Sequence, residues 1–291
     1  MEQHTIMRMN SKTLPLSIEY ATTGYAHDKD ELAHMHDCLE ISCVLQGSLY
    51  CAVNDDRFLL EQGDLCFINH GQLHRAMHAP TLQSKRITLI VSPNVLTRNS
   101  YVLEHFVKPL LDNRAFSHVK ISQSNTIATE VRTLIERIDA LERHQQPGCE
   151  LEEIALVHMI FRHMYAAYCA VSHTNVSYDE NISLQLAMTT YIYEHFDQHV
   201  TLDDIAQAGS VSKSKCARLF QKYAHTTPID FLNTYRLEQS TALLASTNEA
   251  VSRIATQCGF NQQSYYNRLF LRAYNCTPKE YRKRVQHGQR S

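Results

Sequence analysis

Three side chains near the start of the sequence have types and spacing that suit metal binding or the binding of a polar molecule. His34, His36 and Glu40 stand in the segment HMHDCLEISCVLQG, which begins at His34. Residues two apart lie on one face of a β-strand, so an extended segment would place both histidines on the same side. A carboxylate four residues later could join them. Imidazole and carboxylate ligands together suit iron, manganese, nickel or zinc.

The pattern around these residues indicates short strands joined by tight turns. Turn residues at Gly47, at 54–56 and at Gly63 divide residues 15–92 into apolar stretches. Glycine, asparagine and aspartate tolerate the backbone conformations that such turns need. Short strands at regular spacing are typical of a small β-barrel. We therefore predict a barrel over residues 1–120.

The C-terminal third contains an internal repeat. The segment 205–231 (IAQAGSVSKSKCARLFQKYAHTTPIDF) recurs as 254–281 (IATQCGFNQQSYYNRLFLRAYNCTPKEY), with an offset of 50 residues from the glycine onward. The matched positions include that glycine, an Arg-Leu-Phe triplet, a Thr-Pro pair and an aromatic residue. A match of this length indicates one supersecondary unit that is used twice.

Each copy carries signals for two short helices joined by a tight turn. Thr201 and Asp204 form a capping box that begins the first helix, and Ser212 caps the second helix. Gly209 is predicted to end the first helix with positive φ, and Gly259 is its counterpart in the second copy. This pattern is typical of the helix-turn-helix, whose second helix lies in the DNA major groove.

The outward face of each second helix carries side chains that can bind base edges. Arginine pairs with guanine, glutamine and asparagine pair with adenine, and alanine can contact a thymine methyl group. The candidate DNA-binding residues are Lys213, Ser214, Lys215, Ala217, Arg218, Gln263, Ser264, Asn267 and Arg268. The alternative is a merely solvated polar face. Two copies with arginine at the same place fit two adjacent major grooves about 34 Å apart.

Further helices are predicted on either side of the repeat's first copy. Residues 228–246 form one long helix that begins at Pro228 and fixes the spacing of the two units. Residues 123–172 are helical, with apolar positions at alternating steps of three and four. These positions are Ile154, Val157, Phe161, Met164, Tyr168 and Val171. This seam suits a homodimer, and packing on the chain's own barrel is the competing interpretation.

The domain organisation and charge follow from these segments. Residues 121–181 are predicted to be a helical dimerisation arm that ends in a polar interdomain linker, and residues 182–291 are the DNA-binding domain. That last part holds 13 Lys and Arg against 8 Asp and Glu, whereas the whole chain has a net charge of −2. A basic domain of this kind suits a polyanionic partner.

The composition indicates a cytoplasmic protein. The first residues lack an apolar leader, and no apolar run reaches the ~18 residues that a membrane span needs, so we expect no membrane association. The nine cysteines are scattered without a Cys-x-x-Cys pair, which is typical of reduced thiols. A redox sensor using Cys43, Cys51 or Cys66 is a weaker alternative, because strand cysteines are usually inert.

Two resemblances join these observations. Residues 184–283, through the two motifs quoted above, resemble the AraC/XylS family of bacterial transcription regulators. The N-terminal residues resemble the two motifs of the cupin barrel. The positions that carry this second resemblance are His34, His36, Glu40, Gly47, Gly63, Gly71 and His74. In metal-binding cupins, the residues that match His34, His36, Glu40 and His74 are the ligands.

The resemblance implies an α+β protein: a cupin-like barrel with a helical arm, then an all-α domain of two helix-turn-helix units joined by a long helix. It implies a dimeric transcription regulator that responds to a small polar effector, often a sugar, bound by the barrel residues. RNA polymerase would be a partner if the chain is an activator. No catalytic residue and no obligatory cofactor are predicted. The rival interpretation is a metal-dependent cupin enzyme or metal sensor fused to a DNA-binding domain.

Overall fold

In the computed structural model, residues 14–23, 33–79, 83–97, 99–113, 115–171 and 180–288 can be described. They divide into two compact units, residues 14–171 and residues 180–288, which we call the β-domain and the helical domain. The linker is predicted at residues 172–181; residues 172–179 lie outside the described residues, and its last two residues belong instead to a helix that begins at Glu180. The α+β class is confirmed. None of the described helices is long and apolar enough to span a bilayer.

The β-domain contains two antiparallel sheets. Its described strands are β1 (Leu16–Thr23), β2 (Leu39–Gln46), β3 (Ser48–Val53), β4 (Asp56–Glu61), β5 (Leu65–Ile68), β6 (His74–His78), β7 (Ser84–Val91) and β8 (His118–Ile121). Five strands form one sheet in the order β1-β7-β2-β5-β8, and three form the other in the order β4-β3-β6. Side chains from both sheets, among them Val44, Leu49, Ile68 and Ala76, form an apolar interior between them.

Tight turns lie where the sequence predicts them. Gly47 (φ 73°), Asn54 (φ 54°) and Gly63 (φ 87°) all adopt the left-handed conformation that their residue types favour. At Gly47 a side chain is also sterically excluded, because a Cβ would lie 2.3 Å from the carbonyl oxygen of Gln83. These turns set the strand register that later brings the polar residues together.

Two helices, α1 (Thr126–His144) and α2 (Cys149–Val171), follow the strands. Val157, Phe161 and Met164 of α2 are buried in one core with α1 and with the five-stranded sheet. The competing interpretation, packing within the chain, is therefore confirmed for these three positions of the predicted seam, which are buried within the chain. Periodicity alone could not separate the two, because both partners demand an apolar stripe.

The helical domain contains both copies of the repeat. Its described α-helices are α3 (Glu180–His195), α4 (Leu202–Ala208), α5 (Lys213–Leu219), α6 (Pro228–Ser246), α7 (Val251–Gln257), α8 (Gln263–Tyr274) and α9 (Pro278–Gly288), and α5 continues as a π-helical turn over Phe220–Ala224. The capping box of Thr201 and Asp204 is present, and Ser212 caps α5. The connecting helix α6 begins at Pro228, as predicted.

The turn of the first copy differs from its prediction. Gly209 has φ −88°, and the positive φ of 52° belongs to Ser210. Ser210 donates its N–H to Gln207, just as Gly259 (φ 78°) donates to Thr256, so Ser210 is the true counterpart of Gly259. Gly209 is needed for space instead, since a Cβ there would lie 2.7 Å from Cγ of Met188 on α3.

Candidate effector site and candidate DNA interface

The four predicted effector residues converge in the β-domain. Glu40 comes from β2 and His74 begins β6, while His34 and His36 lie on the segment before β2. The backbone N–H groups of His34 and His74 each donate to the other's carbonyl, at 2.9 and 2.8 Å, which fixes the two segments side by side. One ligand atom from each of the four side chains lies within 4.8 Å of all the others.

Backbone contacts orient two of the imidazoles. Nδ1 of His36 donates to the carbonyl of Cys38 at 3.1 Å, and Nδ1 of His74 donates to the carbonyl of Gln72 at 2.8 Å. Both Nε2 atoms then face the same oxygen, Oε2 of Glu40, at 3.4 and 3.0 Å. This is the arrangement in which a backbone acceptor selects the tautomer and aims the other ring nitrogen inward.

The inward geometry restricts the protonation of the cluster. A carbonyl only accepts, so Nδ1 carries hydrogen in both rings. An ionised carboxylate also only accepts, so the two Nε2 atoms and Oε2 of Glu40 together form a point at which a proton or a cation would be shared. Burial by itself raises the pKa of Glu40, but the charge of His74 and the hydrogen bonds from His36 and His74 outweigh it and leave the pKa well below its usual range.

Further polar groups surround Glu40. Ser42 donates to Oε1 of Glu40 at 3.0 Å and lies 2.8 Å from the hydroxyl of Thr88. A small cavity, with room for about one water molecule, borders Glu40, Ser42, His74 and Arg86. Ser42 is not among the predicted site residues, although strand alternation places it on the same face as Glu40. Thr88 and Arg86 gave no local signal, because only strand pairing brings β7 beside β2.

The nine predicted DNA-binding residues all lie in the first two turns of the second helix of their copy, α5 or α8. Eight of them are exposed, and Lys215 is half-buried. Lys213 forms an exposed ion pair with Asp203 of α4 at 2.7 Å. Cys216 and Leu219 of α5, and Tyr266 and Phe270 of α8, are buried on the opposite face. Each helix is therefore amphipathic, with its polar face outward.

Comparison with known proteins gives the family. Residues 205–284 match the family described as helix-turn-helix domain, and residues 17–161 match the AraC-like ligand binding domain. The chain belongs to the AraC/XylS family. This AraC-family protein is a DNA-binding transcription regulator with a separate ligand-binding domain, the function that its repeat predicted.

Relatives and solved structures agree with that placement. The uncharacterized HTH-type transcriptional regulator YdeC of Bacillus subtilis is 27% identical over 255 residues, covering 86% of this chain and 85% of its own length. The HTH-type transcriptional activator RhaS of Escherichia fergusonii is 26% identical over 250 residues, covering 86% of both chains. The crystal structure of an apo ToxT variant from Vibrio cholerae has a TM-score of 0.54 and 12% identity, covering 92% of this chain and 97% of its own, which shows a shared fold.

Proposed function

We propose that this AraC-family regulator senses a small polar effector, such as a sugar or a related metabolite, through His34, His36, Glu40 and His74. The observation that carries the proposal is the convergence of these four side chains, whose ligand atoms lie within 4.8 Å of one another, and of which Glu40 and His74 also line the cavity. Buried polar side chains form hydrogen bonds either with a bound ligand or with one another. In a ligand-binding domain, a cluster of such side chains is the default candidate for the ligand site. The curated relatives named above are transcription regulators, which favours a sensor over an enzyme.

The proposed mechanism is a shift between two states of the regulator. The cavity beside Glu40 holds about one water molecule, so an effector the size of a sugar must widen it. A state in which the cavity is wider would then bind the effector better than the narrow state. Such a ligand shifts the equilibrium only by the difference between its affinities for the two states. The wider state would change how strongly the helical domain engages DNA.

We assign DNA reading to the nine exposed or half-exposed residues on the two second helices. Arg218 and Arg268 occupy equivalent positions in the repeat, and both are exposed. A guanidinium can form two hydrogen bonds with one guanine, so each arginine would read one base pair in its own major groove. The remaining polar residues would contact neighbouring bases or phosphates.

Replacing Arg268 with alanine is expected to weaken binding to the true operator by about 1–3 kcal/mol and to relax the preference at one base pair. Arg218→Ala should relax a different base pair, which makes it the matched control. Competition binding with operators randomised one position at a time measures both effects. If Arg268→Ala weakens all operators equally, Arg268 contacts a phosphate rather than a base.

A homodimer would use the outward face of α2 rather than the buried seam. This face has heptad spacing and is exposed throughout; its members are Glu152, Ala155, Met159, Arg162, Ala166 and Cys169. An antiparallel partner helix would bring Ala155 against Met159 and Arg162 against Glu152, so shape and charge are self-complementary under a two-fold axis. We propose this face as the interface.

By analogy with the relatives named as activators, the dimer would recruit RNA polymerase.

A divalent metal is the second candidate for the sensor site, because the donor set fits one. Three imidazoles and a carboxylate suit iron, manganese, nickel or zinc, and the backbone contacts of His36 and His74 aim both Nε2 lone pairs at one point. Bonds of about 2.0–2.2 Å require each pair of donor atoms to lie within about 4.4 Å. The four donor atoms here lie within 4.8 Å of one another, so the cluster would need to contract by only a few tenths of an ångström to bind a metal ion.

Elemental analysis separates the two candidates. If the site holds a metal, protein purified without a histidine tag should carry about one ion per chain, and Glu40→Gln should lose it because the carboxylate faces two imidazoles. His78→Ala, four residues after His74 at the other end of β6, is the matched control and should retain the ion. Metal-free protein that does not bind added Mn²⁺, Ni²⁺ or Zn²⁺ would leave the organic effector as the sole candidate.

A further inference from the structure

A buried amide of the connecting helix lies against the second DNA-reading helix. Asn233 on α6 is buried, and its Nδ2 donates to the phenolic oxygen of Tyr265 on α8 at 3.1 Å. Tyr265 lies in turn beside Arg268, whose guanidinium carbon is 5.3 Å from the centre of the tyrosine ring. The three residues form a continuous chain of contacts from the core of the helical domain to an exposed arginine.

The inner end of this chain is firmly anchored. Arg236 lies one turn after Asn233 on α6, and it donates to the carbonyls of Phe196 and Gln198, both at 2.7 Å. Its guanidinium carbon also lies 5.8 Å from the ring centre of Phe260, in the turn before α8. One face of α6 is thus bound both to the segment before α4 and to the second copy. Asn233 therefore presents its amide from a rigid support.

The first copy of the repeat lacks an equivalent arrangement. With the offset of 50 residues, the counterpart of Tyr265 is Lys215, so a cation rather than an aromatic ring precedes Arg218 by three residues. Residues three apart are neighbours on a helix surface, and two cations there repel each other. The two reading helices therefore hold their matching arginines in different ways.

We propose that Tyr265 is a specificity-determining residue and that Asn233 is its positioning residue: together they hold the guanidinium of Arg268 in the orientation for reading a base. This inference rests on the proposed assignment of Arg268 to a base edge. A free arginine loses rotamer freedom when it binds, and a ring that attracts the guanidinium removes part of that freedom beforehand. Because paired hydrogen bonds to guanine demand one orientation, prior ordering sharpens the choice between bases.

The test measures base discrimination by the full-length chain at the operator position that Arg268→Ala relaxes. Tyr265→Leu removes the ring and is expected to lower discrimination there about two- to tenfold. Tyr265→Phe keeps the ring but loses the bond to Asn233, so a smaller loss is expected. Neither variant should change discrimination at the position that Arg218 reads, which serves as the internal control. In the Arg268→Ala background, Tyr265→Leu should have no further effect on discrimination.

Three results would overturn the inference. If Tyr265→Leu lowers discrimination equally at both positions, the ring acts on the domain as a whole. If the loss persists in the Arg268→Ala background, Tyr265 contacts DNA by itself. If Arg268→Ala relaxes one position and Tyr265→Leu does not, the ring does not order the arginine. A failure of the proposed base contact looks different, because Arg268→Ala then weakens all operators alike. Thermal unfolding verifies that each variant is folded. If Tyr265→Leu does not fold, Tyr265→Phe, which preserves the packing, still provides the test.

Discussion

Replacing Phe161 and Met164 together with aspartate is expected to unfold the β-domain. Both side chains belong to α2 and are buried in one core with α1 and the five-stranded sheet. Truncating a buried phenylalanine or methionine costs about 2–5 kcal/mol, and an unpaired buried charge adds to that cost. A typical domain has only about 5–15 kcal/mol of total stability. Thermal unfolding, followed by near-ultraviolet circular dichroism, should therefore show that the tertiary signal of the β-domain is lost.

The matched control applies the same chemical change to the opposite face of the same helix. Leu151 and Met159 are 75% and 51% exposed, so Leu151→Asp with Met159→Asp should leave the unfolding temperature of the β-domain nearly unchanged. If the outward face is the dimer interface, light scattering of this control should report a monomer. A Phe161→Asp, Met164→Asp variant that is folded and monomeric would restore the seam as the interface.

Replacing His36 with alanine is expected to abolish the transcriptional response while leaving the regulator able to bind its operator. The imidazole faces Glu40 at 3.4 Å and is one of the four side chains that converge. All nine proposed DNA contacts lie in the helical domain, so the substitution removes none of them. A reporter gene under the natural operator should give the same output under inducing and non-inducing growth conditions.

His158→Ala provides the control for the loss of an imidazole as such. Nδ1 of His158 also donates to a backbone carbonyl, that of Ile154 at 2.8 Å, but His158 lies on α2 and does not belong to the cluster. This variant should respond normally. A folded His36→Ala protein with an undiminished response would disprove the assignment of the sensor site, whichever ligand the site binds.

The sequence by itself determined the local features of this protein. The capping box at Thr201, the start of α6 at Pro228 and the turn at Gly47 depend on interactions within a few residues, and these are as predicted. The repeat could also be recognised from the sequence, because each copy carries the helix signals and the apolar positions of one supersecondary unit. Residue types and spacing alone indicated that His34 and Glu40 could bind a metal or a polar molecule.

Only the tertiary structure decided how distant segments meet. Whether Phe161 faces a second chain or its own sheet depends on which apolar surface covers α2, and both options give the same periodicity. The role of Gly209 depends on its close approach to Met188 of α3, a different helix, whereas the positive φ of the turn belongs to Ser210. Likewise, Asn233 is 32 residues from Tyr265. No local pattern encodes such contacts, because they exist only once the helices have packed.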